Sequence, residues 1–255
     1  MLVKARVYSV CLKEVKAKLA YKDRKFLDYV SERGSIFVAS PGVDPVPSSV
    51  LINEFDLLQR YSPNEAELID GKIFFDKELV ADLSTAEAFS TKQVFLERVK
   101  EDDLRLVERF LEKNYRCSSY SGFYKEVCEA LWGFDLRNEM DLAGSLVGFG
   151  VGMTPSGDDF LVGALAALKG TYLFDQLKKA VIQSSSRTNL ISREFLLCAA
   201  EGEFSKKLMN LIVSLNGSKG AEAYLFDVSS EGHTSGKEGL LGFYKGMKLR
   251  LEANL

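Results

Sequence analysis

Two spacings of apolar residues divide the chain. Up to about residue 90, apolar positions fall in short runs and alternations; beyond residue 91 they recur at helical spacing. Ala5-Arg-Val-Tyr-Ser-Val-Cys-Leu12 alternates loosely, and Ser35-Ile-Phe-Val-Ala39 is a short apolar run ended by Pro41-Gly42. Val50-Leu-Ile52 and Ile73-Phe-Phe75 are further strand candidates. Leu68-Ile-Asp-Gly-Lys-Ile-Phe-Phe75 reads as a hairpin turning at Asp70-Gly71, a dipeptide that tolerates the positive φ of a two-residue turn. Pro41, Pro45 and Pro47 mark a long loop.

From Thr91 to Asn114 the chain is charged and amphipathic. Phe95, Val99, Leu106 and Phe110 form an apolar stripe, and Lys100-Glu-Asp-Asp103 falls on a solvated face. Segments 121–133, 137–147, 156–172, 189–200, 204–215 and 236–250 also read as helical, and no strand is expected between 91 and 255. The expected class is α+β: a small N-terminal β-sheet or barrel-like unit over 1–90, followed by a mostly α-helical domain over 91–255.

Composition narrows the function more than the fold. With 46% apolar residues among 255, the chain can bury a large core. Its 33 basic and 36 acidic residues are well mixed, and no basic run exceeds a pair, so no nucleic-acid partner is expected. Charges interrupt every apolar run near the N-terminus, and no stretch approaches the roughly eighteen apolar residues of a membrane span, so neither a signal peptide nor a membrane partner is expected. Cys11, Cys117, Cys128 and Cys198 form no C-x-x-C pair. They read as reduced and mostly buried in a cytoplasmic protein, without a zinc site.

The candidate chemistry is concentrated in Gly148-Phe-Gly-Val-Gly-Met-Thr-Pro-Ser-Gly-Asp-Asp-Phe-Leu-Val-Gly163. Three spaced glycines permit tight turns and close approach of backbone to a ligand. Thr154, Pro155 and Ser156 suit the start of a helix running on from Phe160 to Leu168. Such a start offers N–H groups and the positive end of a helix dipole to an anion. The adjacent carboxylates Asp158 and Asp159 add the possibility of a hard cation such as Mg2+, a cationic group or proton transfer. The dinucleotide fingerprint fails at Met153, and a phosphate-binding P-loop fails at Asp158, where Lys is required.

The pattern S-G-x-[D/E]-x-L-x-G occurs twice, at Ser156 and again 79 residues later at Ser235. In each copy an acid, Asp159 or Glu238, lies three positions after the Ser, which is capping-box spacing. If the two helix starts converge, they bracket one anionic ligand. His233, the single histidine, immediately precedes the second start and is placed to donate a hydrogen bond or accept a proton. Between the two copies, Ser184-Ser-Ser-Arg-Thr-Asn-Leu-Ile-Ser-Arg193 adds hydroxyls and two arginines, of which Arg187 or Arg193 suits a bidentate grip on phosphate or carboxylate.

Gly148 to Gly163, Thr188-Asn-Leu-Ile-Ser192 and Gly232-His-Thr-Ser-Gly236 resemble the motifs of a bacterial family that contains the small subunit of oxamate carbamoyltransferase, from allantoin and purine catabolism. The resemblance spans the helical half. One departure is Lys237-Glu238, where members of that family carry an Asp soon after G-H-T-S-G. Ser185-Ser-Arg-Thr188 is similar to the S-x-R-T carbamoyl-phosphate loop of aspartate and ornithine transcarbamoylases, but their H-P-x-Q partner motif is absent. The resemblance implies carbamoyl transfer: oxalurate and phosphate would give oxamate and carbamoyl phosphate. It also implies two larger partner subunits. On this reading His233, Asp158, Asp159 and Ser156 are the candidate catalytic residues. Gly150, Gly152, Thr154, Gly157, Arg187, Thr188, Ser192, Thr234, Ser235 and Gly236 are the candidates for holding a small anionic substrate, with Asp158 and Asp159 the candidate ligands of any Mg2+. Two other readings stay open: a stand-alone Mg2+-dependent enzyme acting on a small phosphorylated compound, and a non-catalytic small-molecule-binding module.

Overall fold

The computed structural model describes residues 2–217 and 220–255. The chain forms two compact units, Met1–Thr91 and Lys92–Leu255. The class is α+β, with a strand-rich unit followed in sequence by a helical one.

The first unit contains β1 (Leu2–Ser9), β2 (Val15–Lys22), β3 (Phe26–Ser31), β4 (Gly34–Ala39), β5 (Ser49–Ile52), α1 (Phe55–Tyr61), β6 (Glu65–Ile69), β7 (Lys72–Phe75), β8 (Leu79–Asp82) and β9 (Glu87–Phe89). Strand order is β5-β4-β3-β2-β6-β7-β8-β1, and β1 closes the ring on β5. The result is an eight-stranded barrel, with β9 an extra strand beside β1. β1 makes the closure by pairing antiparallel to β5 (Ala5↔Ile52) and parallel to β8 (Leu2↔Val80). Closure leaves no long unpaired edge among these strands. β2 alternates strictly at its start, Val15 and Ala17 inward and Lys16 and Lys18 outward, as a one-faced strand must. The β6–β7 hairpin turns at Asp70-Gly71, both at positive φ. Tyr29, Ile36, Val38, Ile52 and Phe75 fill the interior, joined by Phe55 and Leu58 of α1. No helix was expected there, because seven residues carry too little periodicity to distinguish it from a loop.

The second unit contains α2 (Glu101–Asn114), α3 (Phe123–Gly133), α4 (Ser156–Leu168), α5 (Tyr172–Ser184), α6 (Leu190–Ala200), α7 (Lys206–Gly217), α8 (Ala221–Ser229) and α9 (Ser235–Glu252), with short 3-10 turns at Cys117–Ser119, Met140–Leu146 and Ser185–Arg187. Five expectations change. The helix expected from Thr91 begins only at Glu101. Upstream, Leu96 and Glu97 carbonyls accept from the buried Arg250 guanidinium, which also reaches Ala167 O at 3.1 Å, so this stretch serves as an acceptor strip. The single helix over 156–172 breaks after Leu168, where Gly170 turns at φ +86°, and α5 follows as a separate helix that was not expected; nor was α8. Residues 137–147 form a 3-10 turn at their core rather than an α-helix. Cys117 and Cys128, expected as free thiols, are joined in a disulfide with Cα atoms 5.4 Å apart; the turn at 117–119 folds back on α3, which a separation of 11 along the sequence does not announce. Cys11 and Cys198 form no disulfide among the described residues. Among the described residues, no helix is long and apolar enough to cross a membrane.

α4 and α9 form the centre of this unit. Nearly every residue of α4 is buried, so the helix is apolar on all sides rather than along one stripe. The two cross at backbone contact. A Cβ on Gly163 would lie 1.8 Å from Gly239 O, and one on Gly242 would lie 1.8 Å from Phe160 O. The contacts are reciprocal and obey the same 79-residue offset as the two sequence motifs, so the crossing is nearly two-fold symmetric.

This packing and one buried acid can each be tested. Gly163→Ala and Gly242→Ala must drive the helices apart and should each lower the unfolding free energy by about 3 kcal/mol. Gly133→Ala, where a Cβ meets nothing within 4 Å, is the control and should change it by less than about 0.5 kcal/mol. Urea unfolding of the full chain reads both. In the barrel, burial, with Asp23 adding repulsion, pushes the Asp28 carboxyl up to about 7. The folded chain therefore holds a proton that the unfolded chain releases above 3.8, and this contribution to stability is lost as pH rises toward about 7. Asp28→Asn should remove that part of the pH dependence and leave the variant more stable than the parent in mildly alkaline buffer, as measured by urea midpoints across the range.

Candidate functional site

The glycine loop before α4 is shaped by positive φ. Gly148, Gly150 and Gly152 sit at +76°, +110° and +101°. At Gly148 a Cβ would also lie 2.5 Å from Arg187 O, so the loop lies directly against the 185–188 turn. Phe149 O accepts from Gly157 N at 2.8 Å, which folds the loop back over the helix start.

Neither expected capping box forms. Pro155 is the N-cap of α4 and Thr234 that of α9, and neither side chain caps its helix; Ser156 and Ser235 are the first helical residues. Pro155 O accepts from Asp158 N and Asp159 N, and Thr234 O from Lys237 N and Glu238 N, so the first turns close on backbone alone. The hydroxyls are directed instead across the crossing. Ser156 is a hydrogen-bond partner of Glu238 on α9, and Ser235 of Asp159 on α4. Thr154 Oγ1 and Ser235 Oγ lie 2.9 Å apart and join the two helix starts directly. Ser156 and Ser235 stand one position past the N-cap, out of place for a capping bond, and with the backbones touching at Gly163 and Gly242 each hydroxyl is free to donate to the opposite helix's acid.

Asp158 ties the first motif to the second. Its Oδ1 accepts from Gly148 N at 2.8 Å; its Oδ2 accepts from Thr188 Oγ1 at 2.5 Å and Ser192 Oγ at 2.7 Å. Asp158 and Ser192 are each 1% exposed, so this is a buried, satisfied network. Asn189, absent from the sequence-based candidates, caps α6 through Ser192 N and donates to Met153 O at 2.9 Å. An Asn directly before an apolar helical run is the signal that would have identified it.

Both acids on the crossing are raised. Burial and then the charge of Glu238 push Asp159 well above the usual carboxylate range, with Asp158 adding to the rise, while Ser235 and Thr154 oppose it. Burial raises Glu238 as well, against the Ser156, Thr234 and Tyr115 hydroxyls and the charge of His233. Tyr115 Oη donates to Glu238 Oε1 at 3.4 Å. Tyr115 was not a sequence candidate: it lies 123 residues from Glu238, outside every motif.

The structure thus brings Thr154, Ser156, Asp158, Asp159, Thr188, Ser192, Thr234 and Ser235 into one neighbourhood. Gly152 faces open space: a Cβ there would come no closer than 3.8 Å to another residue. Gly157 and Gly236 pack instead on backbone, where a Cβ would lie 2.1 Å from Leu146 O and 1.9 Å from Val228 O respectively. His233 is exposed at the rim. Arg187 is exposed and anchored by Nη1 to Gly144 O at 3.1 Å; Arg193 is half-buried. Among the described residues, no group of three or more His, Cys, Asp or Glu is placed to hold a metal ion.

Residues 146–247 match the model of the family described as oxamate carbamoyltransferase subunit AllH. The matched stretch lies within the helical unit and contains the glycine loop, the 185–192 segment and both helix starts. The chain resembles that family over this stretch. No solved structure matches the chain.

Removing the Asp158 carboxylate leaves one N–H and two hydroxyls without their acceptor. Asp158→Ala should cost about 3 kcal/mol of unfolding free energy, and Asp158→Asn, which keeps one carbonyl acceptor, clearly less. An Asp158→Ala protein with the parent's urea midpoint would remove this network as the tie between the motifs.

Proposed function

We propose that this chain is a subunit of a carbamoyltransferase-like enzyme, and that the joined starts of α4 and α9 bind the small anionic substrate. The family match over 146–247 supports the first part. The observation carrying the second is the 2.9 Å contact between Thr154 and Ser235, which brings two helix N-termini with their dipoles and hydroxyls to one point.

In the breakdown direction, an oxygen of hydrogen phosphate attacks the carbamoyl carbon of oxalurate. The bond from that carbon to the oxamate nitrogen breaks, and the proton lost by phosphate passes to the nitrogen, leaving oxamate and carbamoyl phosphate. Helix N–H groups with the Thr154 and Ser235 hydroxyls are suited to the oxyanion of the tetrahedral intermediate. Arg187, exposed beside the glycine loop, is suited to the phosphate or carboxylate, and His233 at the rim to the proton transfer. Asp158 is assigned a holding role, since three donors already engage its carboxylate. The exposed Gly152 and Met153 leave room for partner subunits to complete the pocket.

A thermal-shift titration with phosphate, carbamoyl phosphate, oxamate and oxalurate, on the chain alone and with its co-purifying subunits, tests this. A ligand at a hundred times its dissociation constant should add roughly 2.7 kcal/mol, and Thr154→Ala with Ser235→Ala should abolish the gain. No shift with any of the four in the full assembly would refute the reading. His233→Gln with full turnover in that assembly would remove His233 from proton transfer.

A further inference from the structure

The turn between α2 and α3 delivers a side chain to the α4/α9 crossing and is itself clipped to α3. Tyr115, the C-cap residue of α2, is 2% exposed, and its Oη donates to Glu238 Oε1 at 3.4 Å, in the first turn of α9. Its carbonyl accepts from Nε1 of Trp132 on α3 at 3.2 Å, and its ring meets that of Tyr120 edge-on, with centroids 5.8 Å apart. Ser119 N donates to Arg116 O and Tyr120 N to Cys117 O, so these bonds close the turn on itself and not on α3. The covalent tie to α3 is the disulfide from Cys117 to Cys128. Its two sulfurs differ in access. Cys128 is 1% exposed, whereas Cys117 is half-buried, with exposed Arg116 before it and exposed Ser118 and Ser119 after it. A thiolate arriving from solvent meets Cys117 first, and the neighbouring guanidinium favours both that anion and the Cys117 thiolate once released.

We propose that Cys117–Cys128 is a reversible clip, opened by a dithiol reductant, that holds Tyr115 on the start of α9 and so sets how firmly the α4/α9 crossing is closed. One thiolate of the reductant attacks Cys117 Sγ, the bond between the two cysteines breaks, and Cys128 leaves as a thiolate and takes up a proton. The reductant's second thiolate then attacks its own sulfur in the mixed disulfide and releases Cys117. The cysteine pair gains two electrons and two protons, and the dithiol becomes a disulfide. Once open, the turn keeps its internal bonds and the Trp132 contact but loses the tie that fixes it against α3. Tyr115 then has a single 3.4 Å bond to hold it at Glu238. Ser235, in the same turn of α9, touches Thr154, so a loosened α9 start reaches the joined helix starts. An effect on anion binding rests on the proposed anion site; the clip and its hold on α9 do not.

The full chain, treated with glutathione disulfide and then with dithiothreitol, tests this. Peptide mapping by mass spectrometry should join Cys117 to Cys128 after the first treatment and find them separate after the second. A pair that stays unlinked after the oxidant, or linked after the dithiol without denaturant, overturns the clip. Amide hydrogen exchange over 115–120 and 235–239 should be about tenfold faster in the reduced protein, and Cys117→Ser with Cys128→Ser should match that state and ignore the dithiol. Equal exchange in the two states of the parent overturns the proposal, and faster exchange confined to 115–120 overturns its reach to α9; both are read on the parent and decide even if the double variant fails to fold. Sulfate probes the linkage to the anion site. Its thermal shift should be at least twofold smaller in the reduced protein, and equal shifts overturn the linkage. No sulfate shift in either state removes the anion site instead, and hydrogen exchange then judges the clip alone.

Discussion

Backbone contact between α4 and α9 is the constraint from which the candidate site follows. Two carbonyls, Gly239 O and Phe160 O, occupy the places where side chains would stand on Gly163 and Gly242. At that separation the first turns of both helices share one volume. The Ser hydroxyls at the first helical positions face the opposite helix, and Glu238, which Ser156 meets, is buried. Each site feature on the crossing, including the Thr154–Ser235 contact and the unpartnered Asp159 oxygen, exists because no Cβ intervenes.

Around that crossing, Asp158 converts sequence motifs into one object. The glycine loop and the Thr188–Ser192 segment are separate in the chain, and a single buried carboxylate at the start of α4 accepts from both. Two neighbouring acids thus have opposite environments. Asp158 is surrounded by donors, and Asp159 lacks a donor on one oxygen. A side chain's place one residue along a helix turn decides which of them is enclosed by donors and which faces the opposite helix.

The sequence made the site's location legible because its residue types are concentrated in short windows: glycines with hydroxyls and acids at 148–163, and the eight-residue pattern of 156–163 again at 235–242. It did not reveal which partner each group would choose. Capping-box spacing at Ser156 and Ser235 assumes that the Ser is the N-cap, whereas each helix has its N-cap one residue earlier, at Pro155 and Thr234. Tyr115 and Arg250 were invisible because their acceptors lie more than a hundred residues away in Glu238 and Leu96. The barrel was legible as a class through its short runs and the Asp70-Gly71 turn. α1 was too short to register, and α5 was merged with α4 because Gly170 alone marks the break.

β1 also bears on how the barrel is reached. It pairs with β5, β8 and β9 and with none of the strands that immediately follow it, so its partners lie some fifty to eighty residues away along the chain. The β2–β3–β4 and β6–β7–β8 meanders close locally, but the ring itself waits for contacts of high sequence separation, whose loop entropy must be overcome before any hydrogen bond is gained. During synthesis β1 emerges long before β8 and stays an unpaired strand until then. Its outward lysine and arginine, Lys4 and Arg6, lie on the solvent side of a strand that must remain soluble while it waits.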